Sequence, residues 1–135
     1  MEIPSAVPHG ARHAEVRMDF GGAPGCIAEA REAAVAFLHQ HSRAAGRTFH
    51  DDVLLVVSEL VSNAVRHAPG PFVLELGLVP GGIEIAVRDT SSRPPRSRTP
   101  DRTGGRGWSI VQTLARRVRV VPRHDGKSVH AELLW

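Results

Sequence analysis

The sequence predicts an α+β domain, and three observations carry that reading. Residues 27–43 and 48–68 place apolar side chains at helical spacing, while 72–89 and 118–135 alternate at the two-residue period of strands around glycine-containing turns. A length of 135 residues suits one domain around a single core, and 41% hydrophobic with 23% charged content is the balance of a chain that buries one.

Taken in order, Met1 to Gly10 carries two prolines and no usable periodicity, so residues 1–11 read as a flexible leader and 12–135 as the domain. EVRMDF, Glu15 to Phe20, alternates as a strand, and GGAP turns the chain into a helix from Ile27 to Arg43 that buries Ala30, Ala34, Phe37 and Leu38. After a stop around Gly46, Thr48 and Asp51 have capping-box spacing, with Asp in place of the more usual Glu or Gln. The second helix starts there and runs to Ala68, with Val53, Val57, Leu60, Val61, Ala64 and Ala68 on one side. The PGP at 69–71 ends it.

Phe72, Leu74, Leu76 and Leu78 then alternate inward, Pro80 to Gly82 turn the chain, and Ile83, Ile85 and Val87 repeat the alternation. This is a hairpin with one buried face. Residues 90–106, TSSRPPRSRTPDRTGGR, contain no hydrophobic residue, and a loop of that length in a compact domain is usually functional or disordered. Trp108 to Arg117 returns to helical spacing through Ile110, Val111 and Leu114, and VRVV, an HDG turn and SVHAELLW form a closing hairpin.

Composition narrows the function classes. No apolar run approaches the roughly 20 residues of a spanning helix, and no basic start precedes a hydrophobic stretch, which points to a cytoplasmic protein without a membrane segment. Cys26 is the only cysteine, so no intramolecular disulfide and no cysteine-rich zinc site are expected, and a small buried role suits it. The net charge of +3 comes from sixteen arginines and the single Lys127 set against the acidic residues. No nucleic-acid signature accompanies it, and four Phe, two Trp and no Tyr offer no stacking platform, so nucleic acid is not an expected partner. His39 and His41 diverge on a helix, and His124 and His130 lack a carboxylate set by spacing, so zinc chemistry is not expected.

Three polar features stand out. Glu59, Asn63 and His67 in SELVSNAVRHA recur every four residues along the flank of the second helix's apolar stripe. Alone, this is as readily a solvated helix edge. Asp89 ends a strand before the polar loop, where a carboxylate either forms a turn or accepts from the exocyclic amine of a purine. GGRG, Gly104 to Gly107, runs into a helix, and its amides suit either a phosphate or a flexible loop end.

In that order, with DDVLLVVSELVSNAVRHA as the most specific segment, the chain resembles the GHKL superfamily of Bergerat-fold, histidine-kinase-like ATPases. Within it the match is closest to small bacterial anti-sigma factor serine/threonine kinases. The resemblance covers residues from about Arg12 to Trp135. It implies a two-layer α/β sandwich with a mixed or mainly antiparallel sheet and helices on one face. It implies ATP and Mg²⁺ as ligands, with Asn63 coordinating Mg²⁺ and Glu59 acting as general base or orienting the nucleophile. IAVRDTSSRPP resembles the first glycine box, with Asp89 as the adenine-recognising carboxylate, although Ser91 stands where the family has glycine.

TGGRGWSIV resembles the second glycine box, in which Gly104, Gly105, Arg106 and Gly107 would meet the phosphates. Trp108 stands there in place of a smaller aliphatic residue, and the polar loop would be the ATP lid. Arg93, Arg96, Arg98 and Arg102 in that lid either meet phosphate or partner, or form a solvated basic loop. His67 reaches toward phosphate or simply ends the helix near its negative pole, the second being favoured. The resemblance implies a sigma factor and an anti-anti-sigma protein as partners, and homodimerisation. The expected function is an ATP-binding anti-sigma regulatory factor with serine/threonine protein kinase activity toward the anti-anti-sigma protein. The alternative is a non-catalytic, ATP-dependent or nucleotide-free protein-binding switch of the same fold.

Overall fold

The structure, a computed structural model, describes residues 15–67, 70–91 and 107–135. Its elements follow as β1 (Glu15–Phe20), α1 (Cys26–His41), a 3₁₀ turn (Arg43–Ala45), α2 (Arg47–His67), β2 (Phe72–Val79), β3 (Gly82–Asp89), α3 (Gly107–Leu114), β4 (Arg117–Arg123) and β5 (Gly126–Leu134). The five strands form one sheet in the order β1-β2-β3-β5-β4, and every described pairing is antiparallel. The helices pack on one face, α1 over β1 and β2, α2 over β3 and β5, and α3 against α2 and β4. This is an α+β two-layer sandwich, as expected.

The alternation read from sequence decides which side chains enter the core. Phe20, Phe72, Leu74, Leu76, Ile83, Ile85, Val87, Val129, Ala131 and Leu133 are buried toward the helices, where they meet Ala30, Ala34, Phe37, Leu38, Val53, Val57, Leu60, Val61 and Ala64. Phe20 and Phe72 are direct cross-strand partners whose rings stack at 5.0 Å, a pairing that adds about 0.5–1.5 kcal/mol beyond its buried area. Cys26 is buried at the start of α1 and belongs to the same core. The opposite face of the sheet carries cross-strand ion pairs, Arg119 with Glu84 at 3.5 Å and Arg17 with Glu75 at 4.0 Å. Such half-exposed pairs contribute about 1 kcal/mol or less each, so this face is made wettable more than it is stabilised.

Helix ends differ from expectation for local reasons. α1 stops at His41, short of the expected Arg43, because Ser42 turns both its N–H and its hydroxyl onto the Leu38 carbonyl, at 2.9 and 3.1 Å. The 3₁₀ turn then carries the chain onward, and His50 Nε2 lies 2.8 Å from the Ser42 carbonyl, tying the two helices together. α2 begins at Arg47, with the His50 N–H donating to the Gly46 carbonyl at 3.1 Å, so Thr48 lies inside the first turn and is not its cap. α3 ends at Leu114 and not at Arg117, because the Arg116 N–H is drawn to the Glu132 carbonyl at 2.8 Å and Arg117 already pairs in the sheet. No helix among the described residues is long and apolar enough to cross a membrane. The leader, Ala68 and residues 92–106 of the lid lie outside the described residues.

Candidate functional site

Glu59 and Asn63 stand one turn apart on α2, half-buried beside a stripe made of Val56, Val57, Leu60, Val61 and Ala64. That stripe is held down by the sheet, so both polar side chains lie along the flank of α2, and Glu59 lies where α2 meets the start of α3. The Glu59 carboxylate lies directly against Gly107, the first residue of α3; a Cβ at Gly107 would run into Glu59 Oε1. Gly107, the last residue of the turn expected to approach phosphate, and the carboxylate expected to act on the nucleophile are therefore neighbours. Trp108, next in α3, is half-buried and packs against the core.

Asn63 has a buried Nδ2 with no hydrogen-bond partner among the described residues. A buried amide left unpaired costs about 1–3 kcal/mol, and structures rarely keep such a group without a use for it. The side chain can equally present its carbonyl oxygen by turning over about its last bond. Among the described residues no group of three or more His, Cys, Asp and Glu side chains could hold a metal ion. An uncommitted amide on a rigid helix fits a cation that draws most of its ligands from phosphate and water, which is the habit of Mg²⁺. His67, the last residue of α2, is exposed one turn beyond Asn63.

Asp89 ends β3 on the face that α2 covers, in phase with Ile83, Ile85 and Val87. Its side chain is 4% exposed and is held by Lys127, whose side chain is 7% exposed. The two residues are direct partners across β3 and β5, and the Lys127 ammonium donates to Asp89 Oδ1 and Oδ2 at 3.0 and 2.9 Å. The Ser91 N–H donates to Oδ1 at 2.9 Å, closing a small turn at the strand end. On the side of residue 91 that bond uses only the backbone N–H, so serine in place of glycine keeps it. The strands are brought this close by Gly126, whose φ of 152° and contact with the Asp89 carbonyl leave no space for a Cβ.

Lys127 is the site residue that sequence reasoning passed over, and its signal was present. In GKSVHAELL it shares phase with Val129, Ala131 and Leu133, so strand alternation alone turns a lysine inward. A lysine in that phase needs a buried carboxylate, and Asp89 sits in the corresponding phase of its own strand. Of the other expected site residues, Arg98, Arg102, Gly104, Gly105 and Arg106, like Arg93 and Arg96, lie outside the described residues.

A family profile described as "Histidine kinase-like ATPase domain" matches residues 20–132 of the chain. No curated protein matches the chain in sequence. Among solved structures, the chain is similar to one described as the RsbU and RsbW domains of Rv1364c from Mycobacterium tuberculosis, with a TM-score of 0.68 at 15% identity. The match covers 90% of this chain and 32% of that one, so this chain spans about a third of that structure's length. At that identity the likeness is one of fold. The profile, which runs from the end of β1 to within β5 and takes in α2, the end of β3 and the start of α3, shows that the chain belongs to the histidine kinase-like ATPase domain family.

Proposed function

We propose that the chain is an ATP-binding anti-sigma regulatory factor with serine/threonine protein kinase activity toward an anti-anti-sigma protein. The observation that carries the reading is the placement of Glu59 against Gly107, with the uncommitted Asn63 amide one turn along the same helix. Glu59 accepts the proton of a substrate serine hydroxyl as that oxygen bonds to the γ-phosphorus and the β,γ-bridging oxygen leaves with ADP. Asn63 would hold Mg²⁺, which when bound neutralises phosphate charge. The amides at the start of α3 face the same charge with the positive end of the helix. Lid arginines would add to this from residues 93–106.

Glu59→Gln tests the assignment, because it keeps size and polarity but removes the base. ATP binding is expected to persist while phosphoryl transfer to the serine substrate falls by about 10²–10⁴-fold. Unchanged transfer in that variant would remove Glu59 from the chemistry.

The Asp89–Lys127 pair favours a second reading, a non-catalytic partner switch. A carboxylate already met by a buried ammonium binds an adenine amine less strongly, and a weak nucleotide site suits a module that works through protein contacts. The two readings separate on Glu59→Gln, which leaves a switch fully able to bind its partner and act on it.

A further inference from the structure

We propose that Lys127 sets the base selectivity of the nucleotide pocket, so that it takes 6-oxopurine nucleoside triphosphates as well as 6-aminopurine ones. The proposal rests on the nucleotide-binding reading above and on Asp89 facing the base.

The hydrogen-bond inventory of the pair leads there. A carboxylate offers about four acceptor sites. Among the described residues three are taken at Asp89, two by Lys127 and one by the Ser91 N–H. One site on Oδ2 remains for a ligand amine, and the negative charge that would have strengthened that bond is balanced by Lys127. The advantage of adenine's exocyclic amine is reduced accordingly.

Lys127 has three donors of its own. Two are short, at 2.9 and 3.0 Å to Asp89, and the third reaches the Ser91 carbonyl at 3.5 Å, the limit of a useful hydrogen bond. This third donor is the one a ligand can take over, and only an acceptor can take it. A carboxylate alone repels the C6 carbonyl of hypoxanthine or guanine, whereas a carboxylate with an ammonium on it presents a donor to that carbonyl. An acceptor on Asp89 and a donor on Lys127 thus stand side by side at one end of the β3–β5 ladder, at the register pair Asp89 and Lys127. The rest of the inward face of β5 is Val129, Ala131 and Leu133, so no other charged side chain from that strand competes for the role.

The test compares two nucleotides that differ at the C6 edge, Mg-ATP and Mg-ITP, by titration calorimetry on the native chain and on Lys127→Ser. Native affinities are expected to agree within about threefold, and Lys127→Ser is expected to move the ratio about tenfold toward ATP. ATP preferred beyond about threefold by the native chain, or a ratio that Lys127→Ser leaves unmoved, would overturn the proposal. Circular dichroism establishes whether the variant is folded; if it is not, Lys127→Met, which keeps the length of the stem and removes every donor, takes its place, and the native ratio stands as a test by itself. Failure of both nucleotides to bind the native chain and the variant would remove the nucleotide reading together with this proposal. ATP-selective binding would remove this proposal alone.

Discussion

Gly107 and Glu59 constrain each other, and the constraint can be measured. A methyl group at 107 meets the tip of a flexible side chain, so Gly107→Ala moves the Glu59 carboxylate without breaking the core. Gly107 opens α3, so the helix-interior preference for alanine over glycine, about 0.5–1 kcal/mol, acts there only in part. The expected outcome is an unchanged or raised melting temperature together with lost phosphoryl transfer; full activity would mean that the Glu59 position does not matter. The Asp89–Lys127 pair behaves in the opposite way, because both members are buried and each neutralises the other. Asp89→Asn strands a buried ammonium and is expected to cost about 3–5 kcal/mol in urea unfolding, while adding Lys127→Met should recover most of the loss. Equal stability of the single and double variants would show the pair to be uncoupled. A practical consequence follows for nucleotide assays: lost binding in Asp89→Asn alone reports stability as well as recognition.

At the scale of elements, strand phase was the most legible feature and register the least. Period-two alternation places Phe72, Leu74, Leu76, Ile83, Ile85 and Val87 inward, and they are buried. The same rule places Asp89 and Lys127 inward, but sequence alone does not say that β3 pairs with β5, which requires knowing the strand order. The pair becomes visible only once those strands are adjacent. Helix flanks were legible for a related reason: the apolar stripe of α2 is unbroken, so Glu59 and Asn63 had to lie along its edge. Helix ends were not, because Ser42 and Arg116 choose non-local or side-chain partners over continued helix. Gly126 sets how closely β3 and β5 approach at this end. Gly126→Ala meets the Asp89 carbonyl and the Thr90 Cα, both backbone, at a φ that L-residues avoid. Backbone strain of this kind costs about 1–3 kcal/mol, so chemical unfolding should show at least that loss and amide exchange should quicken along β5. Native-like protection there would show that the ladder tolerates the change.

The whole molecule separates support from chemistry. One face of the sheet is covered by helices and carries the core, and the other is lined with half-exposed ion pairs such as Arg119–Glu84 and Arg17–Glu75. The polar groups that chemistry would use gather at the edges of the helical layer, on α2, at the start of α3 and at the β3–β5 end. The central claim is that this layer binds a nucleotide through Asn63, and a buried amide nitrogen unpaired among the described residues makes the claim easy to isolate. Removing such a group relieves a desolvation cost, so Asn63→Ala should leave stability unchanged or raise it. The most direct measurement is calorimetric titration of the native chain and Asn63→Ala with Mg-ATP, alongside their melting temperatures. The account predicts saturable binding to the native chain and its loss in a variant that melts no lower; binding unaltered by Asn63→Ala, or a native chain that does not saturate at millimolar ATP, would contradict it.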